Sequence, residues 1–223
     1  MLSAQDGVYD SYGSNHHYFY HQATVSHNSV LVYNPSLASE DRGWYSGGQR
    51  HVWTGSLGKV NTWLADDNFK MGECRGVAYG FRDGGKSPEY VYFANDLTAA
   101  YHTRTVQYIG RSTVVLYTDD PDYPMLLFVY DDISAKDANY KKSFLLQCVT
   151  KPVIDSAAGT VTVDNGLGKL VLTSLKGGDE FRAYGMGDNG DMSERFWISG
   201  LNKNLASGGG LSSDGGRNNT SSW

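Results

Sequence analysis

The stretch "GTVTVDNGLGKLVLTSL", residues 159–175, decides the fold. Its valines and leucines alternate with Thr, Lys and Ser on either side of "VDNGLGK", whose Asp, Asn and Gly residues suit a turn. A period of two places one set of side chains on a core and the other in water, as in antiparallel strands with one solvated face.

The same composition recurs along the chain. "HYFYHQATVSHNSVLVY", "ECRGVAYGF", "EYVYFAN", "AAYHTRTVQYIG", "RSTVVLYT", "YPMLLFVYDDI", "KKSFLLQCVT" and "EFRAYG" are rich in β-branched and aromatic residues, the types that fit a pleated, half-buried surface. "RDGGKSPE", "TDDPDYP" and "LKGGDE" separate them as turns. Many short strands with turns between them indicate an all-β protein, a sandwich or a barrel. In "YPMLLFVYDDI" and "STVVLY" the apolar run is nearly continuous. That pattern predicts strands covered on both faces, inside two stacked sheets or under a partner domain. Around "SLGKVNTWLADDNFK", Val60, Trp63 and Leu64 have helical spacing, but their neighbours do not extend the stripe, and the stretch reads as an irregular excursion. No fixed-period repeat points to a propeller or solenoid.

The chain has 223 residues, with 27 Gly, 5 Pro and 16 Tyr, and its net charge of −5 is mild. Its cations are scattered rather than gathered into a stripe, which argues against nucleic acid as a partner. No apolar run reaches the roughly eighteen residues of a membrane span, and "MLSAQDGVYD" lacks the regions of a signal peptide. The Gly/Ser-rich end, "LASGGGLSSDGGRNNTSSW", reads as a loop cut short before its next strand. Asn219 opens an "NTS" glycosylation pattern that is too short to weigh. Cys74 and Cys148 are far apart and outside any C-x-x-C pattern. Two buried thiols are favoured over a disulfide, because Cys148 continues the apolar run "SFLLQCV".

Three clusters carry chemistry. In "HHYFYHQATVSHNSVLVYNP", residues 16–35, His16, His17, His21 and His27 follow the carboxylates Asp6 and Asp10. Imidazole nitrogens and a carboxylate oxygen can together hold a zinc ion. If residues 24–33 form one strand, His27 shares a face with Val25, Ser29 and Leu31, and there it needs either a metal or a hydrogen-bond partner. In "RGWYSGGQRHVW", residues 42–53, Trp44, Tyr45 and Trp53 flank two arginines, a Gln and a His. The group suits either a sugar-binding surface or an ordinary loop with aromatic anchors. In "AAYHTRTVQYIGRS", an extended backbone would place Tyr101, Thr103 and Thr105 on one face and His102, Arg104 and Val106 on the other. His102 and Arg104 would then belong to an anion site or to a solvated outer face.

Five segments in order resemble the C-terminal β-sandwich of the heparinase II/III-like polysaccharide lyases. They are "GVYDSYGSNHHYFYHQATVSHNSVLVYNP", "GGQR", "NDLTAAYHTRTVQYIGRSTVVL", "LLFVYDDISAKDANYKKSFLLQ" and "FWISGLN". The resemblance implies a large antiparallel β-sandwich of two stacked sheets over residues 1–205, truncated at its N-terminal edge, with a tail over 206–223, in a longer polypeptide, periplasmic or secreted, in which an α/α toroid precedes the sandwich. It implies cleavage of uronate-containing acidic polysaccharide, such as heparin, heparan sulfate or alginate, by β-elimination. The main catalytic residues would lie upstream of Met1, which leaves this portion inactive by itself. It further implies a structural zinc, with His27 of "SHNS" as one ligand and Asp6 as another, although Gln5 stands in the ligand's register. Gln49 and Arg50, together with His16 and His17, would line the cleft that binds substrate. The competing expectation is a non-catalytic carbohydrate-binding or structural sandwich. A third, a cupin-like metal enzyme, would need a compact three-histidine site within the chain.

Overall fold

A computed structural model describes residues 23–37, 47–50, 70–148, 150–176 and 180–183. The described fold is all-β. Its strands are β1 (Val30–Tyr33), β2 (Glu73–Arg82), β3 (Ser87–Asp96), β4 (Val106–Tyr117), β5 (Met125–Ala135), β6 (Lys141–Phe144), β7 (Val153–Asp155), β8 (Thr160–Asp164) and β9 (Lys169–Thr173). They form three antiparallel sheets, β1-β6, β2-β3-β4-β5 and β7-β8-β9, the make-up of a β-sandwich protein. Two compact units divide the chain, one of residues Met1–Gly48 with Lys141–Trp223 and one of Gln49–Tyr140.

In the first unit, the stretch 159–175 folds as its alternation requires. Thr160–Asp164 pairs with Lys169–Thr173 in the register Val161↔Leu172 and Val163↔Leu170. Val161 and Val163 are buried while Asp164 is exposed. The side-chain oxygen of Asp164 accepts the Gly166 N–H at 2.8 Å and that of Asn165 accepts the Gly168 N–H at 3.0 Å, so the turn residues satisfy their own loop. β7 has only three residues and no alternation of its own to reveal it in the sequence. β1 behaves differently from β8. Val30, Leu31 and Val32 are all buried in succession, so both of its faces are covered. Each such aliphatic side chain contributes about 1.5–3 kcal/mol relative to exposure.

The second unit is a meander of four strands. Asp83, Gly84 and Gly85, all at positive φ, reverse the chain between β2 and β3. Two glycines there remove the Cβ clash that such a backbone imposes. "VQYIG" and "RSTVVLY", which the sequence suggested as separate strands, form one twelve-residue strand, β4. Its start is buried through Val106 and Ile109, beside Ala100, Tyr101 and Thr105.

The continuous apolar run of β5 does not lie under cover. Residues 125–130 are all exposed, which corrects the expectation for this strand. Among the described residues β5 is the last strand of its sheet, and an edge strand has a neighbour to shade its side chains on one flank only. The apolar run therefore marks a surface. The expectation of two buried thiols holds for one of them. Both cysteines are free, with Cys148 buried and Cys74 exposed near the start of β2.

Candidate functional site

His27 sits where a one-turn 3-10 helix, Thr24–Ser26, hands over to extended backbone at φ −123° and ψ 158°. This corrects the expectation of one strand over residues 24–33, because β1 begins only at Val30. The reason is local competition by side chains. The Ser26 hydroxyl donates to the Ala23 carbonyl at 3.0 Å, and the His27 N–H donates to the Thr24 carbonyl at 3.1 Å. The shared face with Val25 and Leu31 is lost as a result. Val25 is fully buried, whereas His27 is half-buried.

A second segment holds this turn in place, and no motif in the sequence announced it. Gln147, itself buried, donates from Nε2 to the Val25 carbonyl at 2.9 Å and from its backbone N–H to Asn28 Oδ1 at 2.6 Å. The Leu145 N–H donates to the Ser29 carbonyl at 2.8 Å. The backbone on both sides of His27 is thus tied to the segment that follows β6. "FLLQC" carries the apolar cue for burial, but the amide's role depends on a partner 122 residues away.

The glycines of "GGQR" meet the same structure from the other side. Gly47 has φ +84°, and its carbonyl accepts the Val32 N–H at 2.6 Å. An ideal Cβ on Gly48 would lie 2.3 Å from the Thr24 Cβ, a distance no side chain tolerates. The Gly-Gly pair is therefore needed for close approach to β1 and to the Thr24 turn.

Gln49 follows and is exposed, while Arg50 is half-buried. The Arg50 N–H donates to the Ala100 carbonyl at 2.7 Å and its Nε donates to the Ala99 carbonyl at 2.8 Å. One terminal nitrogen reaches the Lys70 carbonyl at 3.4 Å. The guanidinium thus has a fixed position over the short 3-10 turn Thr98–Ala100, and two of its nitrogens are engaged with backbone.

His102 and Arg104 do not share a strand face, which corrects the extended reading of residues 99–112. Residues 103–105 turn, with the Thr105 and Val106 N–H groups both donating to the His102 carbonyl. The Arg104 N–H donates to His102 Nδ1 at 3.1 Å. That nitrogen is an acceptor, which places the proton of the neutral ring on Nε2. Tyr101 and Thr105 are buried and Arg104 is exposed, so the turn anchors itself with the residues on either side of His102 and Arg104.

The structure also contains ion pairs that no motif marked. Arg111 on β4 and Asp131 on β5 are directly opposite and bidentate, at 2.6 and 2.9 Å, and both are largely buried. Arg75 donates to Asp96 at 2.7 Å, and Asp96 also accepts the Thr98 N–H at 2.9 Å. The bond from Arg75, then those from Thr98, lower the Asp96 carboxyl to about 2. Burial raises the Cys148 thiol above its ordinary value.

Among the described residues no group of three or more His, Cys, Asp or Glu could hold a metal ion. His16, His17 and Asp6 lie outside the described residues, as do Trp44, Tyr45 and Trp53 and nearly all of the irregular excursion. Neither a protein-family model nor a curated protein matches the chain.

Proposed function

We propose that this chain is the C-terminal sandwich portion of a polysaccharide lyase that cleaves uronate-containing acidic polysaccharide by β-elimination. One observation carries the reading: the "SHNS" segment and the two glycines of "GGQR" are built onto the same strand. Gly47 hydrogen-bonds β1 at Val32, Gly48 abuts Thr24, and His27 leads into β1 three residues later. Glycines that must be small and a turn that must be clamped are what a site needs when its residues come from distant segments.

In this reaction a base removes the proton beside the uronate carboxylate. The bond to the leaving-group oxygen breaks as a carbon–carbon double bond forms, and that oxygen takes up a proton. Cations and hydrogen-bond donors near the carboxylate lower the cost of the enolate-like charge. Gln49 supplies an exposed amide, and Arg50 supplies positive charge at a fixed position. In this reading both line the substrate cleft together with His16 and His17, and the base comes from an α/α toroid upstream. A structural zinc would take His27 as one ligand and Asp6 as another, with a further ligand from upstream. Zinc there would cross-link strands rather than act on substrate.

The test has two arms. Metal analysis of the purified chain and of His27→Ala should show zinc that falls in the variant, and unchanged zinc removes His27 as a ligand. Incubated with heparin, heparan sulfate or alginate, residues 1–223 should yield no unsaturated uronate. Joined to the polypeptide encoded upstream, they should yield it, and Gln49→Ala should lower kcat/KM in that longer chain. Product from the short chain alone overturns the proposal. A second reading, a non-catalytic carbohydrate-binding module, is favoured by the exposed Gln49 beside the immobilised Arg50. It predicts that residues 1–223 retain polysaccharide binding, and that the upstream frame encodes a linker instead of helices and a His-x-His strand.

A further inference from the structure

The two faces of the four-stranded sheet differ in a way the proposed function does not use. On one face, Tyr90 and Tyr92 of β3 lie against Gly80 and Gly76 of β2. A Cβ on Gly80 would meet the Tyr90 ring at 2.4 Å, and one on Gly76 would meet the Tyr92 ring at 3.7 Å. On that side the rings cover the glycines of β2 only, and Leu126, Phe128 and Tyr130 of β5, which share the face, are exposed.

The register assigns the opposite face. Val77 pairs with Phe93, and Tyr79 with Val91. Phe93 and Val91 pair with Thr113 and Val115, which in turn pair with Val129 and Leu127, while Tyr117 pairs with Met125. Phe81 continues the alternation of β2. Here large side chains stand in water: Val77 is 63% exposed, Tyr79 67%, Phe81 55%, Met125 53% and Leu127 52%. Phe93, Tyr117 and Val129 are also exposed.

Chemistry narrows what can cover this face. Apart from Thr113 it carries no hydrogen-bonding side chain between its ends other than tyrosine hydroxyls, so it lacks the polar partners that orient a sugar. It has no cation for nucleic acid. In this register charge is confined to one end, at the Arg111–Asp131 pair. A surface that is apolar and neutral is complementary to itself, since two copies can meet without burying like charges. At the exposures observed it offers roughly 800 Å², which equals about one side of a standard protein interface.

We infer that this face, centred on Val77, Tyr79, Phe93 and Leu127, is an interface at which two copies of the chain pack sheet against sheet. The facing side chains would interdigitate as the inner layers of a sandwich do, with the sheets about 10 Å apart. The inference does not depend on the lyase reading.

Sedimentation velocity on the full chain between about 1 and 100 μM tests it. The expected species at the upper end has twice the 24.5 kDa chain mass. Tyr79→Glu and Leu127→Glu, both at exposed positions, should each raise the dissociation constant tenfold or more. Leu126→Glu, on the opposite face, should leave it unchanged. Far-UV circular dichroism identifies any variant that fails to fold, and for such a position the milder Tyr79→Ser or Leu127→Ser replaces it. A parent chain that is monomeric at 100 μM overturns the inference, and so does a dimer indifferent to Tyr79 and Leu127.

Discussion

Gly48 shows how a single residue can carry a site. With Thr24 occupying the space its Cβ would need, Gly48→Ala should cost about 1–3 kcal/mol or more through overpacking, read as a lowered Tm. The two thiols should separate cleanly. Cys74 is exposed and Cys148 buried, so a thiol reagent should modify one cysteine quickly in the native protein and the second only on unfolding. Asp96 gives a pH dependence. Its carboxyl is lowered from the ordinary 3.8 to about 2 by Arg75 and Thr98, so the folded state favours the ionised form. The resulting stabilisation is complete above the ordinary value and is lost as pH falls from about 4 to about 2. In Asp96→Asn the Oδ1 acceptor for the Thr98 N–H remains and the charge is gone. Acid titration of its stability should be flatter over that window, and an unchanged slope would remove Asp96 as the cause.

Elements depend on contacts that residues alone do not announce. The turn before β1 relies on the Gln147 amide, which satisfies the Val25 carbonyl in a buried position. Gln147→Leu leaves that carbonyl without its donor and should destabilise the protein by about 1–3 kcal/mol. Hydrogen exchange should report the loss as faster exchange at His27, whose N–H closes the same turn. β5 is legible as a strand from composition, but its environment is not. A long apolar edge strand is a template for pairing with other chains. Phe128→Lys should accordingly reduce aggregation on heating without lowering Tm, because Phe128 is exposed.

At the scale of the molecule, the two units differ in how their sheets are connected. β2 to β5 follow one another as hairpins, whereas β1 pairs with β6 across more than a hundred residues, Val30 opposite Phe144. Closing the long loop costs entropy before any pairing repays it. In refolding with pulsed hydrogen exchange, amides of β3 and β4 should gain protection before those of β1. The opposite order would place the nucleus in the first unit.

Local pattern determined the all-β class, most of the strands and the hairpin turns, since period-two alternation, β-branched residues and Asp-Gly or Asn-Gly turns act over a few neighbours. "GTVTVDNGLGKLVLTSL" holds its hairpin within itself. Only the tertiary structure decided which apolar residues are covered. "VLV" in β1 and "LLFV" in β5 look alike as sequence, yet one run is buried and the other exposed, because covering a side chain takes a neighbour from elsewhere in the chain. The position of His27 was decided in the same way, by a glutamine far along the sequence and by two glycines that had to be small.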